Sequence, residues 1–512
     1  LYADLKGCGK LDKRYRQTEI TRRWSLAHKL GLWQKIELAV ILAREQLEII
    51  PKGTHKEIAN RLKGHPIDIP WFEAKDAQIN HDMNAAIAER RRWLKELAKY
   101  YHEGVTSYDI EDIAFVMMLK ETLVVVDKHI DNYESVLVKR ALLYRHTAKL
   151  LFTHGQYAEL GTEGSEMLAW IQALRSARKT LDDAKESLIY GKCAGATSQY
   201  ATITPLEEKT VLAILGLVPY VGATQIMPRV LYTPIAFGLY QIVQTLNKNA
   251  IDVRLSARSG MPTRREGFGA KQMGSSVMPH KRNPVRLEQI QGMEQMAEGY
   301  LCMLLHPNIT WEYRSIEMSS LERVAWSDLL HVVVHSLKSM TRIMSRLETY
   351  PDTMFDHIIQ SADTWAASRA NVFLLELFGD FGQWGLEPEN IYRIVQLAAF
   401  NSDEPSELAL QMRESPSKSR AETQALYLKY RSQPKGVPVS IKDIIASGSL
   451  KPSSKLDISA DNIKEYNAKL SLAFARLGVS AGWERVFSLD DALIEQNAIF
   501  EGVLGELALA EA

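Results

Sequence analysis

The chain has 512 residues, 46% hydrophobic and 24% charged, the balance of an ordinary globular protein large enough for two or three domains. Lys plus Arg and Asp plus Glu both number 62, so nothing in the net charge favours nucleic acid or an anionic membrane as partner. Cys8, Cys193 and Cys302 are too scattered for a disulfide framework or a zinc site, and a reducing, cytosolic setting is expected.

No apolar h-region follows Lys6, Lys10 and Lys13, so no signal peptide is expected. The basic RYRQTEITRR starts at Arg14, and a short turn-rich piece, KGHPIDIP, starts at Lys63. No proline then occurs between Pro70 and Pro205, a span that a turn-rich sandwich or barrel would interrupt. Within it Val116, Leu119, Leu123, Val126, Ile130, Tyr133 and Leu137 recur at three-and-four spacing, the period of a helix face. The apolar VLAILGLVPYVGA from Val211 is too short for a bilayer and contains Pro219. A second helical stripe is Leu329, Val333, Leu337, Met340, Ile343 and Leu347. RESPSKSRAE from Arg413 and SQPKGVPVS from Ser432 read as exposed loops between shorter helices. The pattern predicts an all-α protein in three regions: an N-terminal helical domain over 1–111, a central long-helix bundle over 112–363 and a C-terminal helical domain over 364–512.

One stretch carries chemistry. GSSVMPHKRNP, from Gly274 to Pro284, sets a loose hydroxyl-bearing segment against three consecutive basic residues. Asn283 and Pro284 read as a helix start, Asn as N-cap and Pro at the first helical position. The N–H groups of that end, with Lys281 and Arg282 beside them, would suit a carboxylate or phosphate. Gly274, Ser275 and Ser276 would form a flap that closes over the anion and brings a hydroxyl with it. Taken alone, the same residues are a solvated basic turn ahead of a surface helix.

The full string resembles the signature loop of the fumarase/aspartase superfamily, and further segments follow in that superfamily's order. GVTSYD at Gly104 resembles its Thr-Ser-x-Asp segment, and THGQ at Thr153 resembles its second segment. Within the superfamily the resemblance is to the adenylosuccinate lyase family. RYRQTEI at Arg14, NHDM at Asn80, YGKCAGATSQYAT at Tyr190, TQIMPR at Thr224 and WEYRSIEMSSLER at Trp311 all have counterparts there. The resemblance covers roughly 14–360 and weakens afterwards. It implies a fumarase/aspartase-like helical fold, a homotetramer with shared active sites and a succinyl-nucleotide substrate. It implies no cofactor and no metal, and neither nucleic acid nor membrane as partner.

Such a reaction removes a proton next to a carboxylate and protonates the departing nitrogen, so it needs a base and an acid on opposite sides of the bond. The resemblance assigns the base to Ser275, with Ser276 binding substrate and Lys281 and Asn283 holding the carboxylate whose charge grows. It assigns the acid to His154, orients that imidazole with Glu288, and places His81 near the leaving nitrogen and phosphate. Thr106, Ser107 and Gln225 would hydrogen-bond the substrate. Arg14, Tyr15, Arg314, Ser319 and Arg323 would hold phosphate and ribose, arginine forks being matched to phosphate. Read alone, His154 is a structural histidine near a helix end, Glu288 a carboxylate favoured by a helix dipole, and each arginine half of a solvated salt bridge.

The match has departures. Phe152, Tyr157, Leu160 and Gly161 replace the family's usual residues around THGQ, and Glu317 and Met318 stand where Ser and His are usual. A carboxylate beside a phosphate site is unfavourable unless turned away. Rival readings are a carboxymuconate cycloisomerase-like enzyme, whose loop also reads MPHKRNP, an argininosuccinate lyase-like enzyme, and a non-catalytic protein reusing the fold. His154, Arg14 and Arg323 argue against the cycloisomerase. Shared sites would make the Leu329–Leu347 stripe partly intersubunit core.

Overall fold

The structure, a computed structural model, describes residues 11–260, 262–269, 271–378, 384–402, 441–453, 456, 458–477 and 480–505. Lys6, Cys8, Lys10 and the RESPSKSRAE and SQPKGVPVS segments lie outside the described residues. The chain forms two compact units, one of 1–137, 170–258 and 264–348, the other of 138–169, 259–263 and 349–512.

The first unit is helical, and its helices start where the sequence supplies caps. After α1 (Thr18–Arg23), the Ser25 hydroxyl accepts the His28 N–H at 3.2 Å and opens α2 (Leu26–Gln46). Beyond α3 (Thr54–Lys63), the Asp68 carboxylate caps α4 (Ile69–Ile79), which has Pro70 in its first turn. Asn80, at φ 50°, ends α4 and leads into α5 (Asp82–Arg91). The proline-free span then yields α6 (Ser107–Leu143), whose 37 residues extend about 55 Å. Its seven stripe residues are all buried.

Ion pairs join α7 (Glu163–Lys185) to α6: Arg178 to Asp131 at 2.5 Å and Lys185 to Asp127 at 2.6 Å. A reciprocal capping box of Thr204 and Glu207 opens α8 (Pro205–Ile214). Helices α9 (Thr233–Ser256), α10 (Val285–Leu305) and α11 (Glu317–Ser345) pack together. Gly238 lets α9 approach α7, since a Cβ there would stand 2.8 Å from Leu181 Cα. The whole Leu329–Leu347 stripe is at most 5% exposed within the one chain. It is intrachain core, and the expectation of a partly intersubunit stripe is corrected.

The second unit adds an element that the helical reading missed. Strands β1 (Ala148–Thr153) and β2 (Gln156–Thr162) pair antiparallel, Ala148 facing Thr162 and Thr153 facing Gln156. A bulge between Leu150 and Phe152 breaks the alternation that would announce a strand. His154 and Gly155 both have positive φ, 53° and 74°, as the twist of a two-residue hairpin requires. Directly opposite each other, Phe152 and Tyr157 put their ring centroids 5.1 Å apart and brace the tip. Leu150 packs with Ile358 of α12 (Pro351–Gln360) and with Trp365 and Ala366, at and just past the end of α13 (Ala362–Trp365). A separate core gathers Leu374 of α14 (Ala367–Leu377) with Phe378, Ile394, Leu397, Ile445 and Leu470. No described helix is long and apolar enough to cross a membrane.

Candidate active site

Asp109 organises the GVTSYD segment. Fully buried, it accepts hydrogen bonds from Lys192 Nζ (2.5 Å), the Ala194 and Gly195 N–H groups (3.1 Å each) and the Thr106 N–H (2.8 Å). The GVTSYD and YGKCAG motifs are thereby one substructure, which fixes Thr106 and Ser107 at the start of α6. A buried carboxylate with one cation and three N–H donors is fully satisfied. Asp109 is thus a scaffold for its neighbours.

Next to it, α2, α4, α6 and α11 enclose a cavity of about 640 Å³, a volume typical of small-molecule sites. Ser319 and Arg323 line it, as do Arg16, Lys29, Asp82, Tyr108, Glu111 and Arg229. Arg314 stacks over the Tyr108 ring at 4.1 Å and donates to Gln225 Oε1 at 3.1 Å, which ties Gln225 and Arg314 to a tyrosine of the cavity wall. Arg229 bonds Asp112 at 2.9 Å and Glu322 at 2.8 Å. Arg323 bonds Asp82 at 2.7 Å, and Lys29 stands 3.8 Å from Glu111. Burial raises the Glu111 carboxyl above its usual range, with Lys29 opposing, while burial of Arg229 is outweighed by Asp112 and Glu322, which keep it charged.

Other expected contacts lie apart from the cavity wall. Arg14 is exposed, its N–H donating to Asp12 at 2.8 Å, and the cavity residue from that basic run is Arg16. Tyr15 meets His335 edge-on at 5.2 Å. His81 caps α5, its Nδ1 accepting the Asn84 N–H at 3.3 Å.

In the signature loop the Ser275 hydroxyl accepts two backbone N–H groups, from Val277 at 3.3 Å and Met278 at 3.0 Å. Gly274 is required there, because any Cβ would collide with the Lys281 carbonyl oxygen. Lys281 and Ser276 are exposed. The expected cap is corrected: Asn283 donates its amide to the Gly274 carbonyl at 2.8 Å, tying the two ends of the loop, and α10 begins at Val285 with Pro284 in the cap position. A carboxylate of the chain itself covers the helix end, Glu266 accepting from the Arg286 and Leu287 N–H groups at 3.2 and 3.4 Å. The anion site expected at this helix start is filled from within. Glu288 is half-exposed, 4.0 Å from Arg254. His154 is exposed at the hairpin tip and not at a helix end.

A family profile described as Lyase matches residues 12–299. The adenylosuccinate lyase of Pyrococcus abyssi is 31% identical over 67% of this chain and 77% of its own length. The chain belongs to the adenylosuccinate lyase family. The Thermotoga maritima adenylosuccinate lyase is 29% identical over 76% of this chain and 89% of its own. In fold, the chain resembles the β-carboxy-cis,cis-muconate cycloisomerase of Acinetobacter calcoaceticus, with a TM-score of 0.71, 17% identity and 96% and 98% of the two chains covered. A fumarate lyase from Mesorhizobium is similar at a TM-score of 0.70 and 16% identity, with 97% of this chain and all of that one covered. These neighbours place it in the all-α fumarase/aspartase fold.

Two departures of this adenylosuccinate lyase-family chain have simple structural accounts. Met318 is buried, packed with Tyr108 and Ile226 beneath the cavity wall. Glu317 is exposed, and a hydrogen bond from the Ser315 hydroxyl holds its carboxyl below the usual range. Glu317 is not among the residues that line the cavity. Sequence reasoning passed over Arg16, Lys29, Asp82, Tyr108, Glu111 and Arg229. Four of them stood inside or beside motifs already singled out: Arg16 two residues past Arg14, Asp82 after His81, Tyr108 after Ser107 and Arg229 closing TQIMPR. Lys29 and Glu111 carried no such signal.

Proposed function

We propose that the chain eliminates fumarate from adenylosuccinate to give AMP, and from SAICAR to give AICAR, in purine nucleotide biosynthesis in the cytoplasm. The C–N bond breaks, Ser275 takes the proton from the carbon beside the carboxylate, and His154 gives one to the leaving nitrogen. The observation that carries this reading is the Ser275 hydroxyl, which sits as acceptor of two backbone N–H groups in the matching loop. Donors aimed at an oxygen favour its anionic form, so the loop lowers the cost of the alkoxide that a serine base requires.

Lys281, with Asn283 and Ser276, holds the substrate carboxylate. Glu288 orients His154, and His81 stands near the leaving nitrogen. The nucleotide occupies the cavity, its phosphate toward Ser319 and Arg323, with Arg14, Tyr15 and Arg314 completing phosphate and ribose contacts and Thr106, Ser107 and Gln225 binding the remaining polar groups. Ser107 begins α6, His154 tips a hairpin and Ser275 lies in a loop before α10, three separate elements. A homotetramer that assembles each site from several chains is the arrangement in this proposal.

The test is an absorbance assay on adenylosuccinate, argininosuccinate and carboxymuconate in parallel. Adenylosuccinate is consumed with equimolar fumarate and AMP. Consumption of either other substrate, with adenylosuccinate untouched, would overturn the assignment.

A further inference from the structure

The cavity cation best placed for a phosphate already has an anion on it. Arg323 Nη2 donates to Asp82 Oδ2 at 2.7 Å, and the other oxygen of the same carboxylate, Oδ1, accepts the Met83 N–H at 2.8 Å. Asp82 is the first residue of α5, where the helix dipole favours a negative charge. Lys29 lines the same cavity. Burial by itself raises the Asp82 carboxyl, but the charges of Lys29 and Arg323 outweigh it and hold the group below its usual range. It is therefore a carboxylate at neutral pH.

We infer that Asp82 is a resident counter-anion of the phosphate subsite, which the substrate's phosphate must displace from Arg323. This rests on the reading that Arg323 meets the phosphate. The exchange is physically balanced. A phosphate on the remaining N–H groups of Arg323 would face the Asp82 carboxylate held on Nη2, and a phosphate dianion brings more charge and more acceptor oxygens than a carboxylate. The displaced Asp82 keeps the Met83 N–H and the start of α5, so it need not be left unpaired. A ligand with a single negative charge has no such advantage over Asp82. The pair therefore selects phosphorylated ligands over nucleosides and simple carboxylates, and keeps Arg323 satisfied in the empty site. His81 precedes Asp82 and caps the same helix, so release of Asp82 reaches a second proposed substrate contact through one peptide bond.

The experiment is calorimetry with AMP on the intact wild-type protein and on Asp82→Asn, Asp82→Ser, Glu111→Gln and Arg323→Met, with steady-state kinetics alongside. Asn and Ser both retain an acceptor for the Met83 N–H, and the cap of α5, His81, is untouched. Both Asp82 variants are expected to bind AMP about five-fold or more tightly, with KM for adenylosuccinate falling and adenosine affinity unmoved. Glu111→Gln, which neutralises a cavity carboxylate that stands on Lys29 and not on the Arg323 fork, is expected to change AMP affinity by less than either Asp82 variant does. Unchanged or weaker AMP binding in both Asp82 variants overturns the inference, as does an equal gain in Glu111→Gln, which would signal a general change of field. Arg323→Met separates the two readings. If it loses AMP ten-fold while the Asp82 variants gain nothing, the counter-anion inference alone fails; if it loses nothing, the phosphate assignment itself fails.

Discussion

Ser275→Ala should leave AMP affinity within two-fold of wild type while turnover of adenylosuccinate falls by about 10²–10⁴-fold, the range that a positioned proton-transfer group supplies. The separation is expected because the hydroxyl's described partners are the Val277 and Met278 N–H groups of its own loop, and none of them holds the nucleotide cavity. Loop closure is unaffected, since the Asn283 amide and the Gly274 carbonyl do that without Ser275. Calorimetry with AMP and a stopped assay for fumarate give the two halves. Turnover within ten-fold of wild type would remove Ser275 as the base. Lost AMP binding would instead make the loop part of the nucleotide site.

His154→Gln should lower kcat by about 10²-fold or more for adenylosuccinate, for the same reason of scale. The loss must shrink for an analogue with a better leaving group, because such a group departs with less help from an acid. Equal losses on both substrates would sink the acid role and leave His154 a binding residue. The same variant tests assembly. Mixed and refolded with Ser275→Ala, it forms some sites with both wild-type side chains if chains share sites, and a measurable fraction of activity returns. A mixture that stays dead after proven subunit exchange counts against shared sites.

The long helices were legible because one physical signal, burial of every third or fourth side chain, repeats for ten turns without a proline; all seven α6 stripe positions are core. The hairpin was not, because its bulge puts Phe152 and Tyr157 out of step with strict alternation and leaves both rings exposed. In the candidate site, the motifs point to segments, and the structure shows which of their side chains line the cavity. Arg16, two residues past Arg14, lines the cavity, and the Asn283 amide closes a loop where a helix cap is expected. Glu266 could not be found at all. Its place on the α10 N–H groups depends on a contact twenty residues away, which no local pattern encodes.

The hairpin turn has a further consequence for how this chain withstands heat. His154 holds a left-handed backbone, φ 53°, which costs a residue with a Cβ about 1 kcal/mol relative to one at ease there. Asparagine and glycine are at ease in that region, and histidine less so. Replacing His154 by Asn should therefore raise the melting temperature while removing the proposed acid. Selection for thermal endurance alone would push this position toward Asn or Gly, and a histidine kept there would mark a position where chemistry overrides backbone comfort.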